Sequence, residues 1–396
     1  MYYKRNKLSE IIAATLASAV VMPMAHAQDS DETVLEEVVV TGIRGSLERA
    51  MDVKRESSGV VDAISAEDIG KFPNTNLAES LQRIPGVSID RQNGEGSKVT
   101  VRGFGPGFNL VTLNGRTLPT ATVGIIGQRD NYTGGQGRSF GFENVAAEGV
   151  GGLEVFKTGN ALLPSGGIGA TIDILTRRPL DYDNTASISL KANADKSVGD
   201  SGSAITPEAS GLVNWSNDNG TFGIGIFGSY SERDSGAAIG QANDWVVRRA
   251  NDFFSNTSMV RADGSTSVTN APADGDLYAI PQDSRYDYSE ITRERMNGQL
   301  VVQFAPTDNL KFTVDYTAVN NQQTEMRSEQ TNWFATPFDQ LIFDGEGPVS
   351  QALFMQENNN GTKDIGFEQT NRATDESINS LGLNIEWNLF DNQTLR

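Results

Sequence analysis

The chain has 396 residues, enough for two or three domains, and a formal net charge of −19. That acidic balance argues against nucleic acid as a partner. There is no cysteine, and the single histidine, His26, lies near the N-terminus. Disulfide frameworks, thiolate metal sites, Ser-His-Asp triads and Cys-His dyads are therefore excluded, and no cofactor or metal site is expected.

Lys4-Arg5-Asn6-Lys7, an apolar run over 11–24 and Ala25-His26-Ala27 together read as a cleaved secretory leader, residues 1–27. The run is too short for a comfortable membrane anchor. Cleavage removes three basic residues and one acidic one, moving the net charge from −19 to −21. Residues 28–54 read as a flexible arm carrying Glu36-Glu37-Val38-Val39-Val40-Thr41-Gly42. This β-branched run is either a strand waiting for a partner's sheet edge, or a first strand or linker of the adjoining compact domain.

That compact mixed domain is expected over 55–181. Val60 to Ile64 reads as a strand, and Ser65 opens a short helix. Asn76 caps a second helix, with Glu79 three positions on and Leu77, Leu81 and Ile84 on one face. Three short strands come next, between Val87 and Leu113, with Gly103 to Phe108 between the second and third. Asn114-Gly115 predicts a type I′ hairpin turn. A long loop spans 119–139. Phe142 to Ala147 reads as a short helix, and 152–157 and 171–176 as strands. The glycines at 103–107 and 134–137 could pass for phosphate cradles. They precede strands rather than helices, and Pro106 interrupts the first, so nucleotide binding is not expected.

From 182 to 396 the pattern changes to strands with one apolar face. Met296, Gly298, Leu300, Val302 and Phe304 are in phase. So are Leu310, Phe312, Val314, Tyr316 and Ala318, and then Leu381, Leu383, Ile385, Trp387 and Leu389. Short turns alternate with two long polar segments, 231–289 and 320–376, read as loops. That asymmetry is the signature of an outer-membrane barrel, and a soluble β-sandwich is the rival. Six strands and the start of a seventh can be counted. The fold class is an α+β plug-sized domain followed by antiparallel transmembrane β-barrel strands. Open edges are not tolerated in lipid, and six strands cannot enclose such a domain, so the barrel reads as incomplete and the chain as an N-terminal fragment.

The order of these motifs resembles the TonB-dependent outer-membrane receptors, in the subfamily found in Caulobacter and Xanthomonas relatives. The segments that carry the resemblance are Glu36–Leu47, Lys54–Ser57, Val60–Pro73, Glu79–Val87, Pro85–Arg116 and Thr176–Asp181. It implies a plug inside a barrel, with Glu36, Glu37, Val38, Val39, Val40, Thr41 and Gly42 as the box that binds TonB. TonB works with ExbB and ExbD under protonmotive force, and the remaining implied partners are outer-membrane lipid and a small extracellular ligand. Gly105 and Phe108, together with Arg129, Tyr132 and Arg138 in the 119–139 loop, become ligand-contact candidates. The loop aromatics Trp245 and Trp333 could stack on a sugar or another ligand. Arg83, Arg102 and Arg116 are candidates for ion pairs between plug and barrel wall.

The expected function is active uptake of a scarce ligand, a complex carbohydrate first and an iron-siderophore second. A non-transporting surface-binding protein or a truncated inactive product are the alternatives. Only eight residues separate Ala27 from Glu36, so a signalling domain ahead of the box is not expected. An enzyme with a carboxylate pair is not expected either, because no acid sits in a recognisable catalytic context.

Overall fold

A computed structural model describes residues 48–66, 69, 76–92, 94–120, 139–161, 163–200, 202–243, 245–251, 259–334, 337–358, 363–390 and 393–395. The expected leader, the 36–42 box, most of the helix after Ser65, and Arg129, Tyr132 and Arg138 lie outside the described residues.

The inner domain is a five-stranded mixed sheet backed by a hairpin and a helix. Its strands are β1 (Val61–Ser65), β4 (Asn109–Leu113), β5 (Arg116–Thr117), β6 (Val150–Phe156) and β7 (Ala170–Thr176), in the order β1-β6-β7-β4-β5. Within this sheet only β4 and β7 run parallel. The hairpin pairs β2 (Val87–Gln92) with β3 (Glu95–Val101). Helix α1 (Leu77–Leu81) is capped as expected: the Asn76 side chain accepts from the Glu79 amide at 3.3 Å. The Glu79 carboxylate does not complete a capping box. It takes two bonds from Arg91, at 3.2 and 2.7 Å, tying helix to hairpin. Leu77, Leu81, Val101, Leu153, Val155, Ile172 and Ile174 form the sealed centre of the core. The expected helix after Gly141 is a single 3-10 turn, Phe142–Asn144. Asn114 and Gly115 both take positive φ, 49° and 77°, as the hairpin turn requires.

Around this domain stands an antiparallel wall of β8 (Thr185–Ala194), β9 (Ile205–Ser216), β10 (Phe222–Asn243), β14 (Asp283–Thr307), β15 (Leu310–Trp333) and β18 (Gly366–Phe390), with β19 (Gln393–Leu395) beginning a further strand. The apolar phases face outward. Leu300, Val314, Leu381 and Leu383 are all exposed, while Asp315, Gln303 and Arg293 on the opposite face are buried. One register line runs Phe222–Phe304–Phe312–Ile385, and another Ile226–Leu300–Tyr316–Leu381.

The strands are far longer than the apolar phase. The segments 231–243, 283–289, 320–333 and 366–376, read as loop from sequence, are ladder-paired strand. A strand crosses a bilayer in about 9–11 residues, yet β14 and β18 have 25 each. Alternation marks only the part whose outer face is apolar. Beyond it both faces are polar, as with Tyr286, Glu290 and Glu294 outward against Asp287, Ser289 and Arg293 inward, so periodicity vanishes while main-chain pairing continues.

The connections at the long end are also ordered. From the 244–282 connection come β11 (Val246–Arg249), β12 (Ser267–Thr269) and β13 (Leu277–Ile280). The 334–365 connection supplies β16 (Gln340–Phe343) and β17 (Val349–Gln356). All five form one sheet, with parallel pairs β12–β16 and β13–β17 joining the two connections. This cap has its own core of Met259, Tyr278, Phe338, Leu341 and Phe343. The Tyr278 and Phe343 rings meet edge to face at 5.9 Å.

Candidate functional site

The site is the seam where the inner domain meets the lumenal face of the wall. Three levels can be followed along it. At the short-turn end, Arg178 donates to Glu386 (2.7 Å), Lys311 pairs with Asp181 (3.3 Å), and the Leu180 amide donates to Gln303 (2.9 Å). These bonds seat the 177–183 segment that leads into β8.

Slightly higher, the Asn114-Gly115 turn delivers Arg116 to the wall. Its guanidinium forks onto both carboxylate oxygens of Asp315 on β15, with Nη1 at 3.1 Å from Oδ1, and also reaches Ser380 on β18. The turn is braced from behind by Asp173, which accepts from Thr112 Oγ1 (2.6 Å) and the Gly115 amide (2.9 Å). Burial pushes the Asp173 carboxyl above its usual range, against the pull of those two donors. Gly382 lies opposite Asp315 in the β15–β18 register, and a Cβ there would collide with the Arg116 guanidinium. The glycine is the gap through which the arginine reaches its partner.

Highest of the three is the β2–β3 hairpin tip. Arg293 on β14 donates both Nη atoms to Glu95, and Arg233 on β10 lies 3.2 Å from the same carboxylate. Arg233 also bonds Asp195, just past β8, at 3.1 Å. Burial opposes ionisation of Glu95, but the Arg293 and Arg233 charges outweigh it and hold the carboxyl below its usual range.

The segment after the 121–138 stretch crosses nearly the whole wall. The Glu143 carbonyl accepts from Arg295 (2.5 Å), Asn144 bonds Asn321 (2.6 Å), and the Ala146 amide donates to Asn297 (3.3 Å). Glu148 pairs with Lys191 (2.8 Å), and the Phe227 ring lies against Gly149. Ile378 on β18 packs into the inner domain's core. Apolar wall residues contribute to the seam, but polar bonds dominate it. The wall side also holds sealed polar atoms with no protein partner, among them Arg293 Nε, Asn297 Nδ2 and Thr317 Oγ1. Such atoms call for bridging water.

Residues 53–171 match the TonB-dependent Receptor Plug Domain. Residues 53–171 thus form a TonB-dependent receptor plug domain. The chain is also 30% identical over 196 residues to the ferric enterobactin receptor PirA of Pseudomonas aeruginosa. That alignment takes in 45% of this chain and 25% of the relative. The probable TonB-dependent siderophore receptor PirA of Acinetobacter baumannii is 24% identical over 185 residues, 44% of this chain and 23% of the relative. The chain thus aligns with about a quarter of each relative's length. Among solved structures, the siderophore receptor PirA from Acinetobacter baumannii aligns at 16% identity and a TM-score of 0.36, over 85% of this chain and 46% of that one.

The residues singled out from sequence are scattered across the plug and cap. Arg116 is in the seam. Arg102 bonds within the plug instead: with φ at 53°, it donates to the Gly169 carbonyl at 3.0 Å. Arg83 is exposed just past α1. Gly105 and Phe108 lie at the start of β4, the opposite end from Arg116, and Phe108 packs edge to face on Phe104 with both rings exposed. Trp245 and Trp333 are exposed near the outer ends of β10 and β15. Asp276 accepts from the Ala273 amide to close a turn. Sequence reasoning missed Glu95, Glu143, Glu148 and every wall partner. A lone acid or arginine in an alternating strand carries no mark of what it will face.

Proposed function

We propose that the chain is the plug and first wall strands of an outer-membrane importer for a ferric siderophore, driven by TonB through residues 36–42. The observation that carries this is the seam. The plug is held to the wall mainly by ion pairs and hydrogen bonds, many of them partly wet and individually weak, so it can be displaced without unfolding a shared hydrophobic core. The names of the two relatives support a ferric siderophore as ligand. On this reading, ligand engages the cap and the plug's exposed loops. The arm then adds as a strand to TonB's sheet edge by main-chain hydrogen bonds. Force relayed by TonB, ExbB and ExbD opens the seam. Ligand binding controls the event only if it favours arm release over the docked arm. The role is binding and gating rather than catalysis.

A saccharide is the second reading, favoured by the exposed indoles of Trp245 and Trp333. The test is uptake by cells making the full-length receptor, fed either radiolabelled ferric catecholate or a labelled oligosaccharide. Uptake of the iron complex that disappears when 36–42 is deleted is the expected result. Uptake of the sugar alone would replace the first reading with the second. Accumulation of neither, with the receptor correctly in the membrane, would overturn import.

A further inference from the structure

Glu143 stands apart from the other acids of the seam. Glu95, Glu148, Asp181, Asp315 and Glu386 each have a cationic partner across the interface. Glu143 has none among the described residues, and its Oε2 is sealed from solvent without a hydrogen-bond partner. It sits on the 3-10 turn packed against α1, β3 and β15. The charged groups on the surrounding elements are already committed. On β14, the Arg293 Nη atoms go to Glu95, and Arg295 bonds the Glu143 main-chain oxygen rather than its carboxylate. On β3, Glu95 is taken up by Arg293 and Arg233. On α1, Glu79 is paired with Arg91. On β18, Glu376 adds repulsion, and β15 offers only the amide Asn321, which is bonded to Asn144. Ser97 on β3 supplies a hydroxyl beside the carboxyl.

A carboxylate with one oxygen sealed in such a place and no counter-ion is costly, and a neutral acid is not. We propose that seating of the plug against the wall is coupled to binding of one proton at Glu143, which is a carboxylic acid in the closed seam and passes its proton to bulk water when the seam opens. No other bond is made or broken in the step. Burial, the largest influence, pushes this carboxyl up from 4.5 to about 7, against smaller opposing pulls from its own backbone amide, Ser97 and Arg293. The acid is therefore stronger in the open state. Its contribution to seating is full below pH 4.5 and fades as pH rises through about 7. From the same two values, the closed-to-open ratio should fall about tenfold between pH 6 and pH 8. If the importer reading holds, each plug displacement also releases one proton.

The chain has no cysteine, so a spin-label pair can be placed cleanly at Ser88→Cys on the plug and Ser377→Cys on the outer face of β18. Distance distributions in the reconstituted chain should show the open population growing about tenfold from pH 6 to pH 8, with Glu143→Gln flattening that dependence. Equal pH dependence in both proteins, or none in the unsubstituted one, would overturn the proposal. Infrared titration of the unsubstituted chain is decisive even if the variant misfolds. A carboxylic-acid C=O band disappearing near pH 7 is expected, and its absence between pH 6 and 8 sinks the idea. Neither measurement uses TonB or ligand, so failure here leaves the importer reading untouched.

Discussion

Arg293 of the wall and Glu95 of the plug form a two-pronged ion pair deep in the seam, with each side chain only 9% exposed. Removing one member leaves the other charge buried and uncompensated, which typically costs about 3–5 kcal/mol. Glu95→Gln and Arg293→Ala should therefore lower the plug's denaturation midpoint far more than Arg178→Ala. The Arg178 pair is wetter and worth about 1 kcal/mol or less.

Acid should loosen the same contact. The Glu95 carboxyl titrates below its usual 4.5 when the plug is seated. Its contribution is thus present above that value and lost as pH falls through the lower, seated one. Acid unfolding followed by hydrogen exchange at residues 87–101 should show this loss in the parent protein and not in Glu95→Gln. The direction is opposite to that expected of Glu143, so the two acids can be separated by pH alone.

Gly382→Ala places a methyl group where the Arg116 guanidinium lies. The expected penalty is about 1–3 kcal/mol, as for other overpacked sites. It should shrink in an Arg116→Ala background, because the clash and the arginine are one interaction. A double-mutant cycle reads this directly, and additive effects would show that the gap serves something else.

Asp173→Ala strips the acceptor from Thr112 and the Gly115 amide. The plug should lose about 1–3 kcal/mol. The Arg116–Asp315 contact should loosen with it, measurable as faster hydrogen exchange at residues 114–117.

Phe343→Ala empties the centre of the cap, at a cost of about 3–5 kcal/mol. Because β12–β16 and β13–β17 tie the two connections together, limited proteolysis should open 244–282 and 334–365 at the same time, with the plug still resistant. On the outer face, Leu300→Arg should cost about 2–4 kcal/mol in the bilayer, while Thr292→Arg, above the apolar band, should cost little.

Much of the architecture was legible because it rests on local chemistry. Asn76 and Glu79 announced a helix start, Asn114-Gly115 a turn that needs two positive φ values, and Met296 to Phe304 a strand with one apolar face. Each of these depends on residues a few positions apart. The upper halves of the strands were not legible, since with both faces polar no period of two survives. The cap was missed for the same reason: its parallel pairs join segments some 70 residues apart, as with Val268 and Leu341.

The sequence by itself determined the order of plug and wall, the apolar face each wall strand turns outward, and the absence of cysteine chemistry. The tertiary structure alone decided which charges meet. Arg102 and Arg116 look alike in sequence, both β-strand arginines beside a glycine. One turns back onto the plug's own Gly169, and the other passes Gly382 to reach Asp315, 199 residues away. Electrostatic partnership acts through space and at short range, so it is set by what the completed fold brings within a few ångströms, which no local pattern records.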